Sequence, residues 1–225
     1  MRVVVVGAGI AGLAAAHALR DAGATVTVVD GARQVGGKLR TSEVAGIAVD
    51  EGAEAFVLRA PEGKALAEDV GLAERLTSPA TSSAGLVVAG EIRPLPGGTM
   101  LGIPTDPEPI RRTFGDDVAH TVVTEPTRGG EPVTEDVSVG ELVRRRLGPV
   151  IADGLVDPLL GGVYAGHADQ LSVRATMPAI AAGLADDPSL VRAAKHALAA
   201  TPASSGAVFG TVTGGLGRFA EAVLE

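Results

Sequence analysis

Apolar residues at the start of the chain follow two spacings, which predict a strand, a helix and a second strand. The continuous apolar run from Val3 to Val6 is typical of a buried strand. Helical spacing follows at Leu13, Ala16 and Leu19. Residues 24–29 then read ATVTVV, which predicts the second strand. The chain therefore opens with a strand–helix–strand unit.

A glycine-rich turn joins the first predicted strand to the helix. Gly7, Gly9 and Gly12 form a G-x-G-x-x-G pattern, and Asp30 follows the second strand. The first glycine permits a tight turn, the second lets a pyrophosphate approach the backbone, and the third lets the helix pack closely on the sheet. The helix N-terminus favours phosphate, and Asp30 can accept hydrogen bonds from a ribose diol. The turn predicts a dinucleotide site, but it does not distinguish NAD from FAD.

Two more small-residue turns follow within the first fifty-five residues. Gly36 and Gly37 lie between basic residues, in the run RQVGGKLR. A short strand is predicted over 46–50, and residues 52–55 read GAEA. Such turns let a backbone approach an anionic ligand closely. We expect one extended ligand to pass along all three turns.

The rest of the chain predicts short elements and one long loop. The elements are a helix over 61–72, a β-hairpin over 86–95, a helix opened by a capping box from Ser138 to Glu141, a helical run over 150–160 that Pro158 breaks, a helix over 187–200, a strand over 207–212 and a final helix from Leu216. Residues 96–134 are rich in Pro, Gly and Thr and are expected to form a flexible loop. We interpret Arg144–Arg146 as a solvated helix face.

Composition narrows the class of protein. The 225 residues are 46% hydrophobic, which is enough for a core, but only 2% aromatic. A net charge of −8 and scarce aromatic residues argue against nucleic-acid binding. No apolar run is long enough to span a bilayer, the N-terminus does not read as a signal peptide, and cysteine is absent, so we expect a cytoplasmic protein. No metal site is expected, because the histidines are scattered at His17, His120, His167 and His196.

Several of these segments resemble FAD-dependent oxidases of the flavin amine oxidase superfamily. The resemblance rests on residues 7–12, Asp30, residues 36–41 and residues 52–55. The run VDPLLGGVYAG at 156–166, with LSVRA at 171–175 and TGGLG at 213–217, more specifically resembles the bacterial protoporphyrinogen and coproporphyrinogen III oxidases of haem synthesis. Members of that family are much longer, and this chain resembles their N-terminal half.

This resemblance implies an α/β fold: a Rossmann-type FAD-binding domain with an inserted α+β substrate-binding domain, truncated here. Residues 1–58 would form the first part of the FAD-binding domain, and residues 59–212 would form mainly substrate-binding segments. Residues 213–225 would begin a helix that returns to the core. Only two strands can be assigned to the parallel sheet, so we expect apolar sheet surface to be exposed.

The activity implied is the oxidation of a porphyrinogen, with FAD as cofactor and O2 as electron acceptor. Coproporphyrinogen III would become coproporphyrin III, or protoporphyrinogen IX would become protoporphyrin IX. Six electrons and six hydrogens would leave the macrocycle in three flavin cycles, and the flavin itself would take the hydride. The chain by itself is expected to bind FAD weakly and to be inactive.

The resemblance also implies roles for particular residues. The pyrophosphate and ribityl region would be held by Gly7, Ala8, Gly9, Ile10, Ala11, Gly12, Gly52, Ala53, Glu54 and Ala55. The adenosine ribose would be held by Asp30 and Gly31, Gly36 and Gly37 would also contact the cofactor, and Lys38 would lie near the flavin side of the site. The carbonyl of Gly162 would face the substrate. Arg59, Arg93 and Arg174 are candidate partners for substrate carboxylates, although a solvated role for each stays open.

Other classes of function remain open on the sequence alone. The chain could be another superfamily member, such as an amine oxidase or a carotenoid desaturase. It could be a non-catalytic module that binds a nucleotide or a partner, or an NAD-binding domain. The sequence settles neither the choice between the two porphyrinogens nor the oligomeric state, and a homodimer stays open.

Overall fold

The protein is described by a computed structural model that covers residues 1–58, 60–81, 83–201 and 207–225. The strands are β1 (Arg2–Val6), β2 (Thr25–Val29), β3 (Thr41–Val44), β4 (Ile47–Asp50), β5 (Phe56–Val57), β6 (Leu76–Thr77), β7 (Gly85–Val88), β8 (Glu91–Pro94), β9 (Thr99–Met100), β10 (Ile103–Pro104) and β11 (Phe209–Val212). The α-helices are α1 (Ile10–Asp21), α2 (Pro61–Asp69), α3 (Pro107–Phe114), α4 (Asp116–Thr124), α5 (Val139–Leu147), α6 (Pro149–Ile151), α7 (Asp157–Tyr164), α8 (Val173–Thr176), α9 (Pro178–Asp186), α10 (Leu190–Ala200) and α11 (Gly217–Leu224).

The chain divides into two compact units. The first unit comprises residues 1–82 and 204–225, and the second unit comprises residues 83–203. These limits differ from the predicted boundaries after residues 58 and 212. The first unit extends further because α2 contributes Ala67 to its core, and because β11 pairs with both β5 and β6.

In the first unit, β1 and β2 form the predicted parallel pair, with Arg2 opposite Thr25 and Val6 opposite Val29. Helix α1 packs on this pair, and its Leu13 is only 1% exposed. The other face of the pair is open: Val4 is 64% exposed and Val6 is 84% exposed. Parallel strands are normally covered on both faces, so an apolar sheet face is exposed as expected.

The remainder of the first unit packs around α11. Strands β3 and β4 form a hairpin, and β11 lies between β5 and β6 in a small antiparallel sheet. Phe219 of α11 is buried and contacts Phe56, with ring centroids 5.9 Å apart. The core of this unit consists of Ala8, Leu13, Leu39, Ala67, Leu72, Val212, Leu216, Phe219, Ala220 and Val223. Helix α11, at the other end of the sequence, is therefore part of the same core as α1.

The second unit is mainly helical, and it corrects the prediction of a flexible loop over 96–134. That segment contains β9, β10, α3 and α4, and the side chains of Ile110 and Ala119 are fully buried. Two of its polar and turn-forming residues lie at helix ends. The Asp106 carboxylate accepts a hydrogen bond from the Glu108 N–H at 2.9 Å, and Gly115 joins α3 to α4 at a φ of +94°. The predicted capping residue Ser138 is confirmed, because its hydroxyl accepts from the Glu141 N–H at 3.1 Å.

Pro158 does not break the helix in which it lies. Residues 149–164 are helical throughout: α6 leads into a π-helical segment, Ala152–Val156, and then into α7. The prediction of a break was wrong. Pro158 lies just after the π-helical segment, and such a local change in the helical hydrogen-bond pattern accommodates a proline within a continuous helix.

The solvated helix face expected for Arg144–Arg146 is present in part, because Arg144 and Arg145 are exposed but Arg146 is not. Arg144 binds Asp153 at 2.7 Å and Asp169 at 3.0 Å. The Arg146 side chain is only 13% exposed and binds the fully buried Glu125 at 2.7 Å. Glu125 also accepts hydrogen bonds from the Ser189 hydroxyl and from the first backbone N–H groups of α10. This carboxylate therefore fixes α10 to α5 inside the second unit.

Replacing Glu125 with glutamine is expected to destabilise the second unit by about 3 kcal/mol. The amide NH2 would face N–H donors, and the buried Arg146 would lose its countercharge. Urea unfolding of the variant would measure this loss. The exposed Glu135→Gln change is the control, and equal stability of the two variants would contradict a structural role for Glu125.

Candidate functional site

The turn between β1 and α1 has the geometry that the glycine pattern predicts. The Gly7 N–H donates to the Val29 carbonyl at 2.7 Å, which holds the turn against the end of β2. A β-carbon on Gly12 would lie 1.9 Å from the Gly7 carbonyl oxygen. Position 12 therefore requires glycine, because α1 approaches the turn too closely for any side chain, as predicted.

The N-terminus of α1 is open to a ligand. Gly9 is the N-cap residue, and no side chain caps the helix. The first N–H groups of an α-helix lack partners within the helix, and here they belong to Ile10, Ala11 and Gly12. A β-carbon on Gly9 would meet only the Gly37 Cα, at 4.0 Å, so the backbone is bare on this side. Uncapped donors beside bare backbone suit an anion such as a pyrophosphate.

Asp30 is joined to this turn by a contact that the sequence did not reveal. Its carboxylate accepts hydrogen bonds from the Ala8 N–H at 2.6 Å and from the Ala32 N–H at 2.7 Å. These two backbone donors hold the pKa of Asp30 below its usual value. The exposed carboxylate thus stays ionised, and lone pairs remain to accept hydrogen bonds from a ribose diol. Gly31, which follows it, is also exposed.

The second glycine turn lies directly against the first. The Gly36 N–H donates to the Ala8 carbonyl at 2.7 Å, and Gly9 and Gly36 form a parallel bridge. A β-carbon on Gly37 would lie 3.1 Å from the Gly9 Cα. The structure therefore brings together the first two of the glycine turns that were expected to contact one ligand. Lys38 follows and is exposed.

The third small-residue turn packs on the second. The Ala53 N–H donates to the Lys38 carbonyl at 2.9 Å, and a β-carbon on Gly52 would lie 2.2 Å from that same oxygen. Glu54 and Ala55 continue as an irregular segment before β5, and Glu54 is exposed. The three turns thus form one continuous surface in the first unit, which we name the glycine cradle: residues 7–12, 36–38 and 52–55.

The glycine cradle has the donors and the bare backbone that a dinucleotide needs. The uncapped N-terminus of α1 would hold the pyrophosphate, and Asp30 at the end of β2 would bind a ribose. An FAD molecule fits this set of groups. The residue-level assignments along the cofactor remain proposals.

Gly162 lies in the second unit, in the last turn of α7. It is exposed, and a β-carbon there would have no atom within 4 Å. Carbonyl groups in the last turn of a helix have no N–H partner within the helix, and they carry the negative end of its dipole. This position suits the predicted role of an acceptor for a substrate N–H, which remains a prediction.

Two of the three candidate arginines have hydrogen-bond partners within the second unit. Arg93 donates to the Thr113 carbonyl at 2.7 Å and binds Glu91 at 3.1 Å. Arg174 donates to the Thr134 carbonyl. Both therefore have partners within the second unit, and Arg59 lies outside the described residues. A role for any of them with substrate carboxylates stays a prediction.

One side-chain cluster was missed by the sequence analysis. His17 and Asp21 of α1 meet Asp69 of α2, and the His17 Nε2 atom lies 2.6 Å from the Asp69 carboxylate. The i, i+4 spacing of His17 and Asp21 was the available signal. The guanidinium of Arg20 lies 3.1 Å from His17 Nδ1 and can only donate there. The contact of His17 with Asp69 thus joins α1 to α2.

Comparison with known proteins identifies the class. A family model described as flavin containing amine oxidoreductase matches residues 10–225. The chain therefore belongs to the flavin-containing amine oxidoreductase family, as the resemblance predicted. The prediction of FAD as the cofactor is confirmed at the level of this family.

The most informative relatives are porphyrinogen oxidases. The chain is 39% identical over 217 residues to the coproporphyrinogen III oxidase of Mycobacterium tuberculosis, a match that covers 94% of this chain and 47% of the relative. It is 33% identical over 184 residues to the enzyme of the same name from Bacillus subtilis, covering 78% of this chain and 39% of that one. The chain spans about half the length of the curated relatives it matches.

Solved structures agree with this grouping. A protein from Exiguobacterium sp. assigned as a protoporphyrinogen oxidase superposes with a TM-score of 0.81 at 31% identity, covering 99% of this chain and 50% of that one. Reduced UDP-galactopyranose mutase gives a TM-score of 0.61 at 19% identity, covering 99% and 46%. The second likeness concerns the fold alone. No helix in the described part of the chain is both long and apolar enough to cross a bilayer.

Proposed function

We propose that this chain forms the FAD-binding and substrate-facing part of a porphyrinogen oxidase of haem biosynthesis. The substrate would be coproporphyrinogen III, oxidised to coproporphyrin III with O2 as electron acceptor. Protoporphyrinogen IX, oxidised to protoporphyrin IX, is the alternative. The proposal is supported chiefly by the glycine cradle, taken together with the identity to coproporphyrinogen III oxidases. The second unit would be the inserted substrate-binding domain.

The chain's own residues would bind the cofactor and would orient the substrate. The N–H groups at the start of α1 would neutralise the pyrophosphate, and Asp30 would hold the adenosine ribose. Bound FAD would supply the ring that accepts hydride and passes electrons to O2. The Gly162 carbonyl would accept a hydrogen bond from a pyrrole N–H and so orient the macrocycle. This scheme requires no nucleophile, thiol or metal from the protein.

The first test is cofactor binding by the chain itself. Titration of the purified chain with FAD, followed by flavin absorbance and fluorescence, should reveal saturable binding. NAD should not compete. Saturable binding of NAD with no response to FAD would contradict the proposal and favour an NAD-binding domain.

Gly162→Glu is expected to abolish porphyrinogen oxidation without loss of flavin. The test protein is a chimera of this chain with the part of the Mycobacterium tuberculosis relative that the chain does not match. Gly162 is exposed and has free space around its Cα, so the glutamate should not disturb folding. Its carboxylate would repel the substrate and block the carbonyl. Activity, measured as porphyrin fluorescence, should fall at least about 100-fold, a barrier increase of about 2.7 kcal/mol.

The control is Ala199→Glu, which adds a carboxylate at an exposed position in the last turn of another helix, α10. It should retain both activity and flavin. Loss of flavin together with activity in Gly162→Glu would indicate a folding role instead. Unchanged activity would remove Gly162 from the proposed site.

A further inference from the structure

The base of the β3–β4 hairpin carries two polar side chains that face each other. Thr41 begins β3 and Asp50 ends β4, and the two are register partners. The Thr41 hydroxyl donates to the Asp50 carboxylate at 2.5 Å, and both residues are partly buried. Both side chains also accept hydrogen bonds from a segment outside the hairpin.

The pair binds the start of α11. The Leu216 N–H lies 3.0 and 3.1 Å from the two Asp50 carboxylate oxygens, and the Gly217 N–H donates to the Thr41 hydroxyl oxygen at 2.9 Å. Helix α11 has no side-chain cap of its own. The N–H of Gly217, the first residue of the helix, and that of the N-cap residue Leu216 are thus bound by residues that lie 176 and 166 positions away in the sequence. A carboxylate at this end of a helix also favours the helix dipole.

The glycines of the TGGLG run make room for this contact. A β-carbon on Gly215 would lie 2.5 Å from the Thr41 Oγ1 atom, and one on Gly217 would lie 2.7 Å from it. Gly215 also has a φ of +100°, which disfavours any side chain there. The backbone before α11 is therefore shaped to receive Thr41 and Asp50.

The same hairpin base continues directly into the glycine cradle. The Glu51 N–H donates to the Arg40 carbonyl at 2.8 Å, next to the bond from Ala53 to Lys38. Behind the cradle, α11 supplies Ala220, whose β-carbon would lie 3.1 Å from a β-carbon on Gly36. The strands that carry two of the three cradle turns and the helix behind them are thus joined through Thr41 and Asp50.

We propose that Thr41 and Asp50 are positioning residues, a clasp that sets residues 36–38 and 52–55 of the cradle against the N-terminus of α1. FAD affinity then depends on the clasp, although neither residue belongs to the cradle. This proposal rests on the proposed function, because it concerns the cofactor of that site. It assigns a specific role to the threonine and the aspartate, as well as to the glycines at 215 and 217.

The test compares three variants of the chain. Thr41→Val keeps the shape but removes the hydroxyl, Thr41→Ser keeps the hydroxyl, and Ser42→Ala alters the neighbouring residue of the same strand. Thr41→Val should weaken FAD binding by about tenfold, the equivalent of losing one or two net hydrogen bonds. Thr41→Ser and Ser42→Ala should bind FAD as the unmodified chain does. Binding is measured by flavin fluorescence, and the melting temperature of each apo-protein is recorded alongside.

Amide hydrogen exchange of the apo-protein supplies a readout that does not involve flavin. Thr41→Val should speed exchange at Leu216, at Gly217 and in residues 36–40, with rescue by serine. Asp50→Asn keeps one acceptor for the Leu216 N–H and should therefore increase the exchange rates less. It replaces Thr41→Val in the test if that variant does not fold. Equal FAD affinity of Thr41→Val and the unmodified chain would overturn the clasp while leaving the proposed function intact. If the unmodified chain binds no FAD, the proposed function fails, and unchanged exchange in residues 36–40 would overturn the clasp independently.

Discussion

Gly9→Ala is expected to weaken FAD binding by about 100-fold while leaving the apo-protein folded. The nearest atom to the added β-carbon is the Gly37 Cα, at 4.0 Å, which is an ordinary contact. The backbone of Gly9 has a φ of −74°, which alanine adopts readily. The methyl group would instead occupy the bare surface beside the uncapped N-terminus of α1, where the pyrophosphate should lie. Flavin titration and thermal unfolding of the same preparation measure the two effects separately.

Gly12→Ala is the matched comparison, three residues further on. Its β-carbon would lie 1.9 Å from the Gly7 carbonyl oxygen, so the turn or the helix must move. We expect a loss of about 3 kcal/mol in stability, together with loss of FAD. The two alanine variants should therefore separate the ligand role of one glycine from the packing role of the other. Unchanged FAD affinity in Gly9→Ala would remove the cradle from the proposed function.

The chain of 225 residues by itself is expected to oxidise no porphyrinogen and to bind FAD only weakly. On the outer face of the β1–β2 pair, Val4 is 64% exposed, Val6 is 84% exposed and Val29 is 43% exposed. An apolar sheet face of this kind favours association and lowers stability. The chain also spans only about half the length of its curated relatives. We expect the part of such a protein that this chain does not match to supply the remaining walls of the flavin pocket.

The measurement is made with and without a second polypeptide. The purified chain is given coproporphyrinogen III, and porphyrin fluorescence, flavin absorbance and light scattering are recorded. Co-expression with the unmatched part of the Mycobacterium tuberculosis relative should raise flavin content, produce turnover and reduce aggregation. Val6→Thr, which makes the exposed face more polar, should reduce aggregation without restoring turnover. Stoichiometric FAD and turnover by the chain alone would show that the prediction is wrong.

Local sequence patterns were sufficient to predict an element wherever the residues that stabilise it lie within one short segment. The strand–helix–strand opening follows from apolar spacing, and the tight turn at Gly7 to Gly12 follows from its glycines. The hairpin of β7 and β8 was predicted with its tight turn at Gly90-Glu91. The structure has the hairpin but places the turn one residue earlier, at Ala89-Gly90, where both residues have positive φ. The cap at Ser138 is equally local.

Predictions failed where the same residue types are typical of two different local structures. Over 96–134, the abundant Pro, Gly and Thr predicted a loop, yet a proline begins α3 and Gly115 joins it to α4, and the buried faces of these helices include Ile110 and Ala119. The charge of Arg146 suggested a solvated position, yet its side chain is only 13% exposed and binds Glu125, 21 positions away in the sequence. Composition cannot distinguish a helix cap from a loop residue, or an ion-paired arginine from a solvated one. The difference depends on which residue the fold places beside each of them.

The sequence by itself therefore determined the family, the flavin cofactor expected of it and the glycine turns, because each depends on residues close together along the chain. Only the tertiary structure decided that Ala8 donates to Asp30, that Gly36 lies against the first turn, and that Thr41 and Asp50 cap α11. These contacts join segments far apart in the sequence. Their donors and acceptors become partners only when the fold brings these distant segments together.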